Sequence, residues 1–395
     1  MGCGVGRRLA RRGLVSLAVA SLVGTALGAA PSVGAAPKGS GAGASGTVTA
    51  WGDNYLGQLG TGAAPSNSVA APAAVRGLGH AVAISAGSDY CLALLANGTV
   101  VAWGGNAYGQ LGDGKRTNST APVAVRGLSH VVAIAANGSH SMALLSHGTV
   151  MAWGQNNNGE LGDGTTTNRS TPVAVKHLSG VVAIAAGDNH SMALLSDGTV
   201  MAWGQGGEDQ LGDGTSSDSW TPVAVSGLSG VRRIAAGGPD SLALLGSGKV
   251  MAWGDNFYGE LGNGTTTSSK VPVAVKGLTG VVAIAAGDDH NLALLSNSTV
   301  MAWGQNTNGE LGNGATADAT KPVAVEHLSG VVAIAAGVGH SLALLEDGTA
   351  EAWGYNTSGQ LGDGTTNDRH TPVAVKGLAG AKAIATGDYD SFALL

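Results

Sequence analysis

A Trp-Gly pair returns at Trp51, Trp103, Trp153, Trp203, Trp253, Trp303 and Trp353, the first interval being 52 residues and the other five 50. So regular a pitch means one small unit copied seven times. Such a chain folds as a stack or ring of equivalent modules, each too small to bury its own apolar surface alone.

Residues 181–228 represent the unit. Residues 181–187 are a short apolar run closed by Gly187, and a turn over 188–190 leads to a second run, 191–195. Asp197 and Gly198 are a hairpin signal. A third run, 199–204, carries Trp203 and Gly204, a polar Gly-rich loop follows, and 222–225 is a fourth run. Short runs bounded by Gly, Pro, Asn or Asp read as strands, and no segment after residue 46 has a clean helical period. Each copy is therefore expected to form one antiparallel sheet of four strands, A to D. The runs are apolar on both faces, so both faces must be covered, and radial packing around an axis does this while leaving only short edges. The expected fold class is all-β, a seven-bladed propeller. Strand A is richest in small residues and is placed beside the axis; the repeated Trp on strand C fills the wider gap between blades. The chain stops after a strand B (391–395) and its repeats begin with a strand C (46–51). The N-terminal C and D strands should complete the last blade and close the ring.

Residues 1–30 differ in character. Arg7, Arg8, Arg11 and Arg12 precede an apolar stretch, 14–27, that is too short to span a membrane. This pattern reads as an export signal, by the general or the twin-arginine route. Residues 31–45 read as a flexible Gly/Ala/Pro/Ser spacer, and 46–395 as the propeller. The expected product is secreted or wall-associated, monomeric, and without stable membrane insertion once the signal is gone. Loss of the four signal arginines takes the formal charge from −6 to −10, which argues against nucleic acid as a partner. Cys3 would leave with the signal. Cys91 stands where other copies carry Ser141, Ser191 or Ser241, so it reads as a serine replacement; no disulfide or zinc spacing is present.

The segment 188–204, Asp-Asn-His-Ser-Met-Ala-Leu-Leu-Ser-Asp-Gly-Thr-Val-Met-Ala-Trp-Gly, and the Gly-Glu-Leu-Gly-Asp-Gly of 159–164 resemble the regulator-of-chromosome-condensation repeat. The resemblance covers residues 46–395. It implies a seven-bladed propeller closed by its N-terminal strands, and it implies much less about function. The eukaryotic founder of that family exchanges nucleotide on a nuclear small GTPase and docks on chromatin; secreted bacterial relatives include β-lactamase inhibitors that use one propeller face.

Three patterns could carry chemistry. The position after strand A reads Tyr90, His140, His190, Asp240, His290, His340 and Asp390 around the ring. Four histidines could suggest a metal, but ligands must meet within about 2 Å of one ion, and a ring spreads equivalent positions apart. The expected role is a hydrogen bond to local backbone, with no metal and no cofactor. Leu-Gly-Asp-Gly, with Asp113, Asp163, Asp213 and Asp363 replaced by Asn263 and Asn313 elsewhere, reads as an Asx turn rather than a calcium loop. Adjacent His140 and Ser141 point to opposite faces of a strand, and no nucleophile elbow, phosphate loop or His-Glu-x-x-His is present. No catalytic set emerges.

Differences between copies are more informative. The A–B turns and C–D loops should share one face, which would hold all six tyrosines (Tyr55, Tyr90, Tyr108, Tyr258, Tyr355, Tyr389), Phe257, and the non-repeat Trp220. Aromatic loop tips suit a protein-binding surface. Of the 26 acidic residues, 21 lie in these turns and loops, among them Asp89, Asp209 and Asp289; six basic residues accompany them, leaving −15. Arg76, Arg126, Lys176, Lys249, Lys276, Lys376 and Lys382 fall elsewhere. The expected partner is a protein, a basic one being favoured by steering onto an acidic face. Within this reading a secreted enzyme inhibitor is the sharper version. The alternatives are nucleotide exchange, for which the constant pitch leaves no long wedge insertion, a carbohydrate or cell-wall binder using Trp220 and the tyrosines, and an enzyme such as a lyase.

Overall fold

The computed structural model describes residues 46–395 apart from Ala64, Ser66 and Asn67. The export signal and the spacer lie outside the described residues. The described residues form 28 strands in seven four-stranded antiparallel sheets. The third blade is typical: A Val181–Ala186, B His190–Leu195, C Val200–Gly204 and D Ser219–Ala224. The closing blade takes A and B from the C-terminus, Ala383–Thr386 and Asp390–Leu394, and C and D from the N-terminus, Val48–Gly52 and Val69–Ala74. Its joining ladder runs from Val48 opposite Leu394 to Gly52 opposite Asp390. Neither terminal half-blade leaves an inner edge unpaired.

The core sits between blades. Trp203 of the third blade shares one apolar cluster with Leu144, Val150 and Val175 of the second. Every repeat Trp is fully buried. Each Nε1 donates to a backbone carbonyl in the preceding blade's C–D loop, Gln58, Gln110, Glu160, Gln210, Glu260, Glu310 or Gln360, at 2.7–2.9 Å. The indole thus brings a large apolar area and satisfies its one donor. Gly162 shows why the loop needs glycine there: its φ is +61°, and a Cβ would meet Trp203 Nε1 at 2.8 Å.

Strand A does line the axis. Ala86, Ala136, Ala186, Ala236, Ala286, Ala336 and Ala385 surround a central cavity with Ile84 and Ser85. Strand D, the outermost, is half-exposed in all blades. The Leu-Gly-Asp-Gly segments are Asx turns: Asp163 Oδ1 accepts from Thr165 N at 2.9 Å and from Thr165 Oγ1 at 2.6 Å. Asn263 Oδ1 accepts the same pair at 2.9 and 2.6 Å, so carboxylate and amide interchange freely. Among the described residues no helix is long and apolar enough to cross a membrane.

Candidate protein-docking face and its acidic mouth

The histidines after strand A do not bond local backbone, contrary to the expectation from sequence. Their rings reach across the seam. His140 Nε2 lies 2.8 Å from Ser191 Oγ, His190 2.8 Å from Ser241, His290 2.9 Å from Ser341, and His340 2.9 Å from Ser391. Each of these serines donates to the same loop carbonyl that receives the Trp, for example Ser191 to Glu160 O at 2.9 Å. With its proton so used, the Ser oxygen can only accept, so Nε2 carries the imidazole hydrogen and Nδ1 is bare and unpartnered. Burial lowers these histidines to about 4, 3, 4 and 3 respectively, which keeps them neutral. They are latches between blades, sealed from any substrate. Among the described residues no group of three or more His, Cys, Asp or Glu could hold a metal ion.

The exceptions come in pairs. Where Asp240 replaces His, the facing serine is Asn291, whose Nδ2 donates to Asp240 Oδ2 at 2.7 Å and to Glu260 O at 3.0 Å. At the closing seam Asp390 faces Cys91. Burial, then Asp388, raises Asp390 well above the usual carboxylate range, and neither of its oxygens has a hydrogen-bond partner. Cys91 Sγ turns to Leu92 O at 3.6 Å.

Tyr90 is one of these seam residues and not part of the face. It is fully buried, and its hydroxyl donates to the His140 carbonyl. A residue at the latch position cannot also be a loop tip, so Tyr90 is withdrawn from the candidate contact set. Eight of the 21 acidic residues assigned to this face are also buried: Asp53, Asp113, Glu160, Asp163, Asp240, Glu260, Glu310 and Asp390. Glu160, for instance, accepts from Asn158 N at 2.9 Å inside its own loop. The figure of −15 therefore overstates the charge offered to a partner. The basic residues after strand D are not confined to the far side either: Lys176 Nζ lies 2.9 Å from where a Gly164 Cβ would sit.

Part of the acid that remains stands at the axis. Asp188, Asp288 and Asp388, from the third, fifth and seventh blades, line the mouth of the central cavity, which offers about 70 Å³ to water-sized occupants. The ion pairs of the described residues are Lys115–Asp113, Arg169–Asp163, Arg369–Asp363 and His327–Glu326; none neutralises a carboxylate of the mouth. Burial, then Asp288 and Asp388, holds Asp188 well above its ordinary range. Asp388 is pushed up to about 7 by burial and then Asp89, and Asp289 to about 7 by burial and then Asp288.

The turns and loops of this face also carry exposed aromatic tips. Phe257 is 70% exposed, Tyr55 65%, Tyr389 40% and Tyr108 36%. Tyr355 and Tyr389 meet edge-on at 5.9 Å, Phe257 and Tyr258 at 4.8 Å. Tyr389 is joined electrostatically to Asp388, Asp288 and Asp89, so the tyrosine pair borders the carboxylates. Trp220 is 51% exposed but sits on an outer strand D against Gly159, away from the mouth. Asp209, in the left-handed region at φ 69°, accepts from Ser216 Oγ at 2.6 Å within its loop. The structure therefore brings together Asp89, Asp289, Tyr355 and Tyr389. Asp188, Asp288 and Asp388, which the sequence counts among the acids of this face, are the ones that line the cavity.

Residues 47–393 match the family model described as the RCC1-like domain. Among solved structures, yeast RCC1 (Prp20) bound to Kap60 superposes with a TM-score of 0.80 at 25% identity, over 89% of this chain and 88% of that one. Prp20p from Saccharomyces cerevisiae, described with its binding to Gsp1p and histones, gives 0.79 at 25% over 89% and 91%. Human WBSCR16, at 23% identity and 0.80 over 88% and 98%, speaks for the fold alone. The zebrafish (Danio rerio) RCC2 homolog is 42% identical over 76 residues and human RCC2 43% over 76 residues. These segments span 19% of this chain and only 15% and 14% of those proteins.

Proposed function

We propose that this chain, which belongs to the RCC1-like domain family, is an exported, non-enzymatic propeller that binds a protein through the face formed by its A–B turns and C–D loops. The observation that carries the reading is the set of exposed aromatic tips on the turns and loops of this face, Tyr55, Tyr108, Phe257 and Tyr389, the last beside carboxylates that no basic residue neutralises. Exposed aromatics supply contact area at low entropic cost, and they cluster where the copies differ rather than where they agree. Yeast RCC1 is itself bound to a protein, Kap60, which is consistent with a protein-docking role in this architecture.

The sharper form is an inhibitor of an extracellular enzyme, with class A β-lactamases the first candidates. Mixing the purified protein with a panel of them at micromolar concentration tests it: hydrolysis should fall for at least one, and unchanged hydrolysis across the panel removes the inhibitor form. Export rests on the arginine-led apolar segment of residues 1–30. N-terminal sequencing of protein from the medium should begin after residue 25; an intact Met1 there, or retention in the cytosol, contradicts it.

A second reading, nucleotide exchange on a small GTPase, is favoured by the likeness to Prp20p, described with its binding to Gsp1p. Release of a fluorescent GDP analogue from a Gsp1p-type GTPase discriminates the two. The protein-binder reading expects no acceleration; a dose-dependent one would establish exchange instead.

A further inference from the structure

We infer that the ring opens along the joint between its two chain ends while the six other blades stay folded, and that ionisation of Asp390 drives the opening. The opening goes beyond the binding role above and does not depend on it. The joint divides the closing blade. Its strands C and D run by continuous chain into the first blade, and its strands A and B continue from the sixth, so no covalent bond crosses the line between the two pairs. The main ties across that line are the ladder of Val48–Gly52 to Asp390–Leu394, the bond from Trp51 Nε1 to Gln360 O at 2.9 Å, the bond from Asp53 N to Tyr389 O at 2.9 Å, and Phe392 packed against Trp103.

The seams show where the ring is weakest. Six of them carry a side-chain bond at the latch position. Four are the His–Ser pairs, one is Asn291 Nδ2 to Asp240 Oδ2 at 2.7 Å, and one is Ser141 Oγ to Tyr90 Oη at 2.8 Å. The seam from the closing blade to the first has none, because Asp390 faces Cys91 and the thiol turns to Leu92 O. Strand A of the closing blade, Ala383–Thr386, is four residues long, against six in the third blade. Of the eleven buried side-chain atoms without a hydrogen-bond partner among the described residues, five flank the joint: Thr49 Oγ1, Asp53 Oδ1, Gln360 Nε2 and both oxygens of Asp390. Each such group is penalised while the joint is shut and is hydrated once it opens. Local openings of this kind start where bonding is poorest.

Asp390 supplies the trigger. The groups around it are Asp388 on its own turn, Asp53 from the C–D loop of the closing blade, Asp89 and Cys91 from the first blade, and His340 from the sixth, a neutral ring held by Ser391. No cation is among them, and none of the ion pairs of the described residues includes Asp390. Burial, then Asp388, Asp89 and Asp53, keeps the proton on Asp390 while the joint is shut. In the open joint the carboxyl meets water and ionises in the ordinary range. The shut form thus holds a proton that the open form releases, so opening increases as pH rises above that range.

The test is amide hydrogen exchange of the full chain by NMR, each rate divided by the intrinsic rate at its pH. Protection over Val48–Gly52 and Asp390–Leu394 should be at least about tenfold below that of the matching strands of the third blade, Val200–Gly204 and His190–Leu195. That gap should widen at least about tenfold from about pH 6 to about pH 8. Cys91, buried while the joint is shut, should be alkylated by iodoacetamide at a rate that low urea hardly changes, because a local opening exposes little surface. In Asp390→Asn the widening with pH should vanish. Equal protection in the two blades, loss confined to Leu394 and Leu395, or alkylation of Cys91 that follows global unfolding overturns the opening. A gap that keeps one size across pH in the parent, or widens as much in Asp390→Asn, overturns the part given to Asp390.

Discussion

The seams between blades and the mouth at the axis both bury ionisable side chains and treat them in opposite ways. In a seam, a buried His meets a Ser of the next blade, the Ser and a Trp meet one loop carbonyl, and the ring stays neutral. At the mouth, Asp188, Asp288 and Asp388 face a common cavity with no counter-charge. The seam is copied from blade to blade because any unmatched group there weakens the ring. The mouth changes from blade to blade and is left electrostatically unfavourable, as expected of a surface completed by something else.

The largest effect should come from breaking a seam. Trp203→Ala removes an indole packed between the second and third blades and leaves its carbonyl acceptor short of a donor; a loss of about 3–5 kcal/mol is expected in urea unfolding. A loss below about 1 kcal/mol would mean that the seams do not hold the ring.

The two regions should also titrate in opposite directions. Seam histidines are lowered from 6.5 to about 3–4, so the unfolded chain binds their protons first and stability is lost as pH falls below about 6.5. Mouth carboxyls are raised, Asp289 and Asp388 to about 7. The native state holds their protons longer than the unfolded chain, so stability is lost as pH rises from about 4 to about 7. In Asp188→Asn/Asp288→Asn/Asp388→Asn the alkaline-side loss should shrink, and the variant should exceed the parent by about 1–2 kcal/mol at pH 8 while matching it near pH 4. Denaturant midpoints across that range measure this; a constant difference at all pH values would contradict unneutralised carboxylates at the mouth.

The closing seam sharpens the contrast. It pairs Asp390 with Cys91 in place of a His–Ser latch, while Trp103 still donates to Gln58 O and Phe392 packs edge-on against Trp103 at 6.4 Å. Restoring the repeat with Asp390→His/Cys91→Ser should stabilise the ring by about 1 kcal/mol, read as a raised thermal midpoint. Destabilisation would indicate that Asp390 is needed where it is.

Much of this was legible in the sequence, for identifiable reasons. The pitch gave the number of blades, the incomplete copies at the two ends gave the closure, and the small residues of strand A marked the axis, because each follows from burial and periodicity alone. The latches were not seen, since their partners lie 51 residues apart. A signal did exist: the two departures from Ser, Asn291 and Cys91, stand at that same offset around the ring from two of the three departures from His, Asp240 and Asp390. Tyr90 was misplaced for the same reason, having been read as a loop aromatic while occupying the latch position. The mouth was hidden because Asp in a tight turn is ordinary, and only the closed ring shows which turns converge.

The smallest effect on stability should come from the face itself. Tyr55→Ser/Phe257→Ser/Tyr389→Ser removes exposed rings and should change unfolding by no more than about 0.5 kcal/mol while weakening partner capture at least about tenfold. Photocrosslinking tests the central claim most directly. A crosslinkable phenylalanine analogue placed at residues 55, 257 or 389, and separately at Val182 or Val282 near the other end of strand A, is exposed to medium from the producing cells. The account predicts one protein joined from all three aromatic positions and nothing from the two valines; that protein crosslinked equally from the valines, or only from them, would contradict it.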